Sequence, residues 1–216
     1  MIRAICITKC DGDDDSPAAN DCMEWQQLGS KVPRGGNRLT RALGRCVFST
    51  MGWHVEGVFP DQSKLIVAVA PHTSNVDWIL SIAVIWGLGL KASYLVKHSL
   101  FRFPLGPIVS ALGGIPVDRR SAQGLVGQMI GQFESRSQLV LGVTPEGTRG
   151  NVREWKRGFA LMAQSTNVPI LPAILDYKTR TVRFHPLITD VRDADRTLIA
   201  VQMAAASGAP RHAHQD

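Results

Sequence analysis

Two side chains at a short spacing have the chemistry of a base and its carboxylate partner. His72 and Asp77 lie five positions apart at the start of an apolar run. A carboxylate that bonds one imidazole nitrogen leaves the other nitrogen able to accept a proton from an alcohol near neutral pH. Residues five positions apart on a continuous helix lie on different faces, so the pair forms only if His72 precedes the helix.

The same stretch also has a purely structural interpretation. Ser74 is suited to the N-cap of the following helix, and Asp77, three residues later, would complete a capping box. In that interpretation His72 merely precedes a capped helix. The residues alone leave both interpretations open.

A second polar segment follows an apolar run at residues 139–143. It contains Glu146, Gly147, Thr148 and Arg149. The glycine lets backbone approach a ligand closely, and the guanidinium can bind a phosphate or carboxylate through two parallel hydrogen bonds. The structural alternative is an ordinary turn with a solvated Glu/Arg pair.

Several other classes are disfavoured by what the sequence lacks. It has no G-x-S-x-G elbow of a serine hydrolase and no G-x-x-x-x-G-K-[ST] phosphate loop. Its four cysteines lack C-x-x-C spacing and are too few to staple the chain, so reduced cytosolic thiols are expected. The amino terminus lacks the basic start and apolar core of a signal peptide, and no export is expected.

The hydrophobic pattern alternates between strand-like runs and helical stretches. This βαβ rhythm predicts a single α/β domain with a mostly parallel central sheet covered by helices. Strands are predicted at residues 55–59, 65–70, 93–97, 115–118, 139–143 and 169–175, with an edge-like strand at 181–185. Helices are predicted at residues 37–53, from about 76 to 90, and at 121–136, 154–165 and 193–206, with an irregular Pro/Gly-broken segment at 99–114.

Four polar positions lie at or shortly after the carboxyl ends of predicted strands. They are His72, Lys97, Arg119 and Glu146. In parallel sheets the carboxyl ends of the strands line the ligand crevice, so these side chains are expected at one edge of the sheet. The sequence therefore predicts one functional site there.

The distribution of charge along the chain suggests a division into an acidic leader and a basic domain. The formal net charge is +6, and acidic residues concentrate in the first 30 positions, which leaves the rest strongly basic. We expect a poorly ordered acidic leader at residues 1–36, one domain at 37–206 and a flexible tail at 207–216. A basic domain suits anionic partners, but nucleic acid is not expected because interleaved aromatics and a known binding motif are missing.

The first predicted helix, residues 37–53, is basic and amphipathic. Leu39 and Leu43 recur at helical spacing, with Arg38, Arg41 and Arg45 interleaved. Such a helix either docks on an anionic membrane surface or packs as an ordinary surface helix. The longest apolar run, residues 78–90, is shorter than the roughly 18 to 20 residues needed to span a bilayer.

Four blocks in order resemble the lysophosphatidate (1-acylglycerol-3-phosphate) acyltransferases and their glycerolipid relatives. Residues 72–77 resemble the H-x-x-x-x-D pair of that family, and residues 146–149 resemble its E-G-T-R block. Residues 97–119 and the V-P-x-x-P stretch at 168–172 resemble its other two blocks. The resemblance covers about residues 52–186.

The resemblance implies a reaction and a role for each matching residue. His72 would deprotonate the acceptor hydroxyl and Asp77 would orient it, so that the alkoxide attacks an acyl-CoA or acyl-carrier-protein thioester without an acyl-enzyme. Arg119, Arg149 and Lys97 would hold a phosphate, with Glu146, Gly147 and Thr148 shaping its pocket. No metal or cofactor is implied, and the enzyme would act peripherally at the cytoplasmic face of the membrane.

Two departures from the family pattern leave the acceptor open. Pro71 stands where many members have asparagine, and Thr144 stands where many have the phenylalanine of a Phe-Pro pair. The acceptor can then be lysophosphatidate, another lysophospholipid, or a lyso-aminolipid without phosphate. A non-catalytic module that binds anionic lipid, with His72 and Asp77 kept only for the helix cap, is the alternative from another class.

Overall fold

The computed structural model describes residues 25–72, 74–102, 104–117, 122–146 and 155–210. In these residues seven strands form one sheet, in the order β1–β7–β6–β2–β5–β3–β4. Every neighbouring pair is parallel except β6 and β7. The predicted α/β fold with a mostly parallel sheet is confirmed. The strands are β1 His54–Glu56, β2 Lys64–Ala70, β3 Ala92–Lys97, β4 Gly114–Val117, β5 Leu139–Val143, β6 Ile170–Asp176 and β7 Thr181–Phe184.

Helices cover both faces of the sheet. Alternate residues of β2 point to opposite sides: Leu65 and Val67 join the core under α1 and α2, whereas Ile66 and Ala68 join the core under α4, α5 and α6. A strand buried on both faces reads as a continuous apolar run, as β2 does. The helices are α1 Arg38–Thr50, α2 Asn75–Leu88, α3 Leu105–Ala111, α4 Ala122–Ser135, α5 Gly158–Thr166 and α6 Ala194–Ala205.

Helix α2, which follows the predicted catalytic histidine, has well-defined ends. Ser74 is its N-cap and forms a capping box with Asp77, the third helical residue. At the other end Gly89 adopts a left-handed conformation with φ of 71°, which closes the last turn with little strain. These caps fix where α2 starts relative to the end of β2.

The irregular segment expected at residues 99–114 is partly helical. It contains a 3₁₀ turn, His98–Phe101, and the short helix α3. Pro107 does not prevent α3 because it lies in the first turn, where backbone N–H groups have no partner within the helix. The proline and glycine content therefore predicted a longer irregular segment than the structure contains.

Strand β7 is internal rather than an edge, which corrects the prediction. The short strand β1 pairs with it in parallel, with His54 opposite Thr181. Strand β1 is shorter than predicted and ends before Gly57, whose φ of 82° turns the chain away. Helix α5 also begins later than expected, at Gly158.

The packed chain extends beyond residues 37–206 at both ends. Leu28 and Val32, from the segment predicted to be a leader, are buried in the core. Near the other end, the carbonyl oxygen of Ala209 accepts a hydrogen bond of 2.9 Å from the Tyr177 backbone N–H. Residues 1–24 and 211–216 lie outside the described residues.

In the part of the chain that the structure describes, no helix combines enough length and apolar character to cross a membrane.

Helix α1 packs on α2 through a glycine contact. A methyl group at Gly44 would lie 2.7 Å from both the Ala83 carbonyl oxygen and the Gly87 nitrogen. These are backbone atoms, which cannot move aside as a flexible side chain can. The close approach of the two helices therefore requires glycine at position 44.

We expect Gly44→Ala to force α1 away from α2. Overpacking in a tight contact typically costs about 1–3 kcal/mol, so urea denaturation should show a loss of that order. The matched control is Gly131→Ala in α4, where an added methyl group meets nothing within 4 Å. Helix propensity alone should leave that control unchanged or stabilise it by about 0.5–1 kcal/mol. Equal stability of both variants would contradict the packing argument.

Candidate active site

His72 and Asp77 meet at the junction between β2 and α2. The Nδ1 atom of His72 lies 3.4 Å from Oδ2 of Asp77. The histidine ring is 14% exposed, whereas the carboxylate is completely buried. His72 precedes the N-cap by two residues, which satisfies the requirement that it lie outside the helix.

The capping box and the histidine contact occur together, because Asp77 takes part in both. Its Oδ2 atom accepts a hydrogen bond of 2.7 Å from the Ser74 backbone N–H, and the same oxygen faces His72. The Ser74 hydroxyl in turn accepts from the Val76 N–H at 3.1 Å. The cap fixes the position of the carboxylate that contacts the imidazole.

Glu146 connects the two polar segments of the sequence. Its Oε2 atom accepts a hydrogen bond of 3.0 Å from the backbone N–H of His72. The contact follows from the topology, because β2 and β5 are parallel neighbours and both segments leave the same end of the sheet. Glu146 is buried, so it holds the histidine backbone from inside the protein.

The structure describes only some of the other predicted site residues. The backbone of Lys97 ends β3, but its side chain lies outside the described part of the chain. Arg119, Gly147, Thr148 and Arg149 also lie outside the described residues. The predicted site residues follow four strands that lie next to one another in the sheet, in the order β2, β5, β3 and β4. These strands are all parallel, as the prediction of a site at one edge requires.

A large apolar cavity of about 1460 Å³ adjoins the pair. His72 lines it, together with side chains of α2 such as Trp78 and Ile82 and side chains of β6 such as Ala173 and Leu175. Ligand pockets are typically about 300–1000 Å³, so this cavity has room for an extended apolar group.

The ionisable groups of the cavity wall favour anions. Among the described residues, those lining it are His72, Tyr94, Lys156 and Arg157. Burial raises the pKa of the Tyr94 phenol, which keeps that group neutral. Arg157 forms an ion pair of 2.6 Å with Asp195, while Lys156 is exposed. The sequence analysis did not predict a role for Lys156, because this residue lies outside the four motif blocks.

Tyr177 is a site residue that sequence reasoning also missed. Its hydroxyl donates a hydrogen bond to Oδ1 of Asp77. The residue directly follows β6, and β6 is the other neighbour of β2. The rule that polar residues after parallel strands gather at one edge applies to it, but no motif marked it.

Comparisons with known proteins give a family and a similar fold. A model of the family described as Acyltransferase matches residues 53–176. A similar solved structure is the 1-acyl-sn-glycerophosphate (LPA) acyltransferase PlsC from Thermotoga maritima, with a TM-score of 0.58 and 19% sequence identity. The match covers 78% of this chain and 76% of that chain, and it establishes a shared fold. A search of curated proteins gave no match.

We expect Glu146→Ala to loosen the junction between β2 and α2. The substitution leaves the His72 N–H without its charged acceptor, at a typical cost of about 1–3 kcal/mol. Chemical denaturation should show the loss of stability, and amide hydrogen exchange should show faster exchange at His72. The control is Glu134→Ala, an exposed glutamate on α4, which should change stability by less than about 0.5 kcal/mol. Unchanged exchange at His72 would argue against the contact.

Proposed function

Because the chain belongs to the acyltransferase family, we propose that it transfers a fatty acyl group from a thioester to the hydroxyl of a lysophosphatidate-like lysolipid. The donor is acyl-CoA or acyl-carrier protein. The observation that carries this proposal is the contact of His72 with the buried Asp77 beside a large apolar cavity. It combines a candidate base with space for a lipid.

In the proposed reaction, His72 acts as general base. Its Nδ1 faces Asp77, so the imidazole carries its proton there and Nε2 accepts the proton of the acceptor hydroxyl. The resulting alkoxide attacks the thioester carbonyl, the C–O bond forms and the C–S bond breaks. The proton passes from Nε2 to the leaving thiolate, which restores the neutral histidine without an acyl-enzyme.

The acceptor phosphate is assigned to the basic residues of the resembling motifs. Lys97, Arg119 and Arg149 hold it, while Gly147 and Thr148 shape the pocket. Support comes from the adjacent ends of β3, β4 and β5, which lead into these residues. Two or three cations are suited to a phosphate group, whereas a lyso-aminolipid would leave them without a counterion.

The acyl chain is assigned to the apolar cavity. Side chains of α2, among them Trp78 and Ile85, form one wall of it. Residues such as Val84 also belong to the packed core, so part of this wall supports the fold whether or not a lipid binds. Burying an alkyl chain gains about 0.8 kcal/mol per CH₂ group, which favours long acyl groups over short ones.

Helix α1 is the proposed membrane contact, at the cytoplasmic face and without a span. Its inner side packs through Gly44 and Phe48, while Leu39 and Leu43 are 75% and 49% exposed. Exposed leucines beside arginines are suited to the interface of an anionic bilayer. Ordinary packing on the core does not account for these two leucines.

His72→Ala should reduce acyl transfer by about 10²- to 10⁴-fold, the usual contribution of a general base. The assay measures radiolabelled acyl transfer from acyl-CoA and from acyl-carrier protein to lysophosphatidate and to a lyso-aminolipid. The thermal melt should stay close to that of the wild type, because alanine keeps the backbone N–H that binds Glu146.

The control for this variant is His185→Ala. That histidine contacts Ser207 and does not line the cavity, so its loss should leave turnover near the wild-type rate. Retained turnover in His72→Ala would reject the base assignment and favour the non-catalytic lipid-binding module. Faster transfer to the lyso-aminolipid than to lysophosphatidate would reject the phosphate acceptor.

Replacing Arg38, Arg41 and Arg45 by glutamine should weaken flotation with anionic liposomes. Each basic residue near such a surface contributes about 1 kcal/mol. A thermal melt must accompany the test, because the Arg45 guanidinium also donates to the Gly87 carbonyl oxygen at 3.0 Å.

The charge-matched control for flotation changes three exposed arginines elsewhere, Arg136, Arg192 and Arg196, to glutamine. Its net charge equals that of the α1 variant, so only the location of the lost charge differs. Equal flotation of the two variants would remove the docking role from α1.

A further inference from the structure

Both oxygens of the buried Asp77 carboxylate have donors. Oδ2 accepts from the Ser74 N–H at 2.7 Å and faces His72, while Oδ1 accepts from the Tyr177 hydroxyl. Asp77 is completely inaccessible to solvent, so these protein groups replace water around its charge. The Tyr177 hydroxyl occupies the side of the carboxylate opposite to the one that the imidazole uses.

We propose that Tyr177 is a positioning residue for the His72–Asp77 pair. Its hydroxyl fixes the rotation of the carboxylate so that Oδ2 remains directed at Nδ1 of His72. Tyr177 keeps its proton throughout and does not touch the substrate. The inference rests on the proposed function, in which His72 is the base, and it adds a residue from the end of β6 to the site.

The fold brings Tyr177 to this position through the register of the sheet. Strand β6 pairs with β2, with Ile174 opposite Ala70, so the residues after the two strands leave the sheet side by side. Tyr177 and Asp77 are 100 positions apart in the chain. Their contact is therefore produced by the central strand pair rather than by local sequence.

The turn that carries Tyr177 is held on both sides. The Asp176 carboxylate accepts from the Lys178 N–H at 2.9 Å and from the Thr179 hydroxyl at 2.8 Å. Burial would raise the pKa of Asp176, but these hydrogen bonds and one from the Ala209 backbone keep it below its usual value. The Tyr177 N–H also donates to the Ala209 carbonyl oxygen at 2.9 Å, so its backbone has little freedom.

The aromatic ring of Tyr177 is also fixed. It packs edge-to-face on Trp53, with ring centroids 4.8 Å apart and an interplanar angle of 83°. Trp53 is buried and lies 6.4 Å from the ring of Phe48 in α1. Edge-to-face pairs are favourable beyond the area they bury, so the hydroxyl is aimed by packing as well as by its hydrogen bond.

Loss of the hydroxyl has a defined consequence for the proton on His72. A buried carboxylate that has lost a donor attracts a neighbouring cation more strongly. It therefore holds the neighbouring imidazolium more tightly, so the neutral imidazole that acts as base appears only at higher pH. The acid limb of the pH–rate profile must then move upward.

The test is Tyr177→Phe in the full chain, assayed by acyl transfer to lysophosphatidate across a pH series. We expect kcat to fall by about ten- to a hundred-fold, which matches the usual value of a hydrogen bond to a charged group. The acid limb should move to higher pH, while KM for both substrates should change by less than about two-fold. The phenylalanine keeps the ring packing, but Oδ1 of the buried Asp77 loses its donor, so the melting temperature should fall by the amount typical of one buried hydrogen bond.

A second variant and a control separate positioning from general destabilisation. Trp53→Leu keeps the Tyr177 hydroxyl but removes its packing partner, so it should lower the melting temperature more than Tyr177→Phe and lower kcat less. Phe133→Leu truncates a side chain buried under the opposite face of the sheet and should lower the melting temperature without moving the acid limb.

The outcomes are distinguishable. Wild-type kcat and an unmoved acid limb in Tyr177→Phe, with His72→Ala inactive, would overturn the role of Tyr177 and leave the proposed function intact. Loss of kcat in proportion to loss of melting temperature across all three variants would make Tyr177 merely structural. Full turnover in His72→Ala would overturn the proposed function and this inference with it.

Discussion

The site depends on one buried charge, the carboxylate of Asp77. A carboxylate with no access to water is costly unless protein donors replace the lost hydration. Two donors meet that need, the Ser74 N–H at the N-terminus of α2 and the Tyr177 hydroxyl in the turn after β6, and the His72 ring at the end of β2 lies 3.4 Å away. The N-terminus of a helix also favours a negative charge. The position of Asp77 therefore fixes the relative placement of these three elements.

The sheet topology provides the geometry that the carboxylate requires. Strand β2 lies in the middle of the sheet, between β6 and β5, and all three run in the same direction. Residues far apart in the sequence consequently meet at the carboxyl ends of these strands. Glu146 contacts His72 across a separation of 74 positions, and Tyr177 contacts Asp77 across a separation of 100 positions. Glu146 holds the histidine backbone while Tyr177 holds the aspartate. The histidine and the aspartate are thus each fixed by a different neighbouring strand.

Much of this arrangement could be predicted from the sequence, because its signals are local. Apolar runs marked the central strands, and the Ser74/Asp77 spacing marked the start of α2. Short-range sequence patterns do not reveal which strands pair with each other. Strand β7 was therefore predicted at an edge of the sheet, although β1 pairs with it. Tyr177 was missed for the same reason, since its partner is distant in the chain. The helix α3 was missed because the proline and glycine content of its segment predicted an irregular structure. A proline in the first turn of a helix is tolerated, and the prediction did not allow for this.

Helix α1 raises the question of whether a lipid surface and the site are coupled. Phe48 of α1 contacts Trp53, Trp53 contacts Tyr177, and Tyr177 bonds Asp77, so an unbroken series of contacts joins the helix to the carboxylate. Contiguity alone does not make a switch, which requires an element with two arrangements that both sites bias. Gly44 and the aromatic contacts define one close-packed arrangement of α1 on the domain. The aromatic series therefore acts as rigid support, and a membrane bound to α1 would hold the site at a fixed distance from the bilayer.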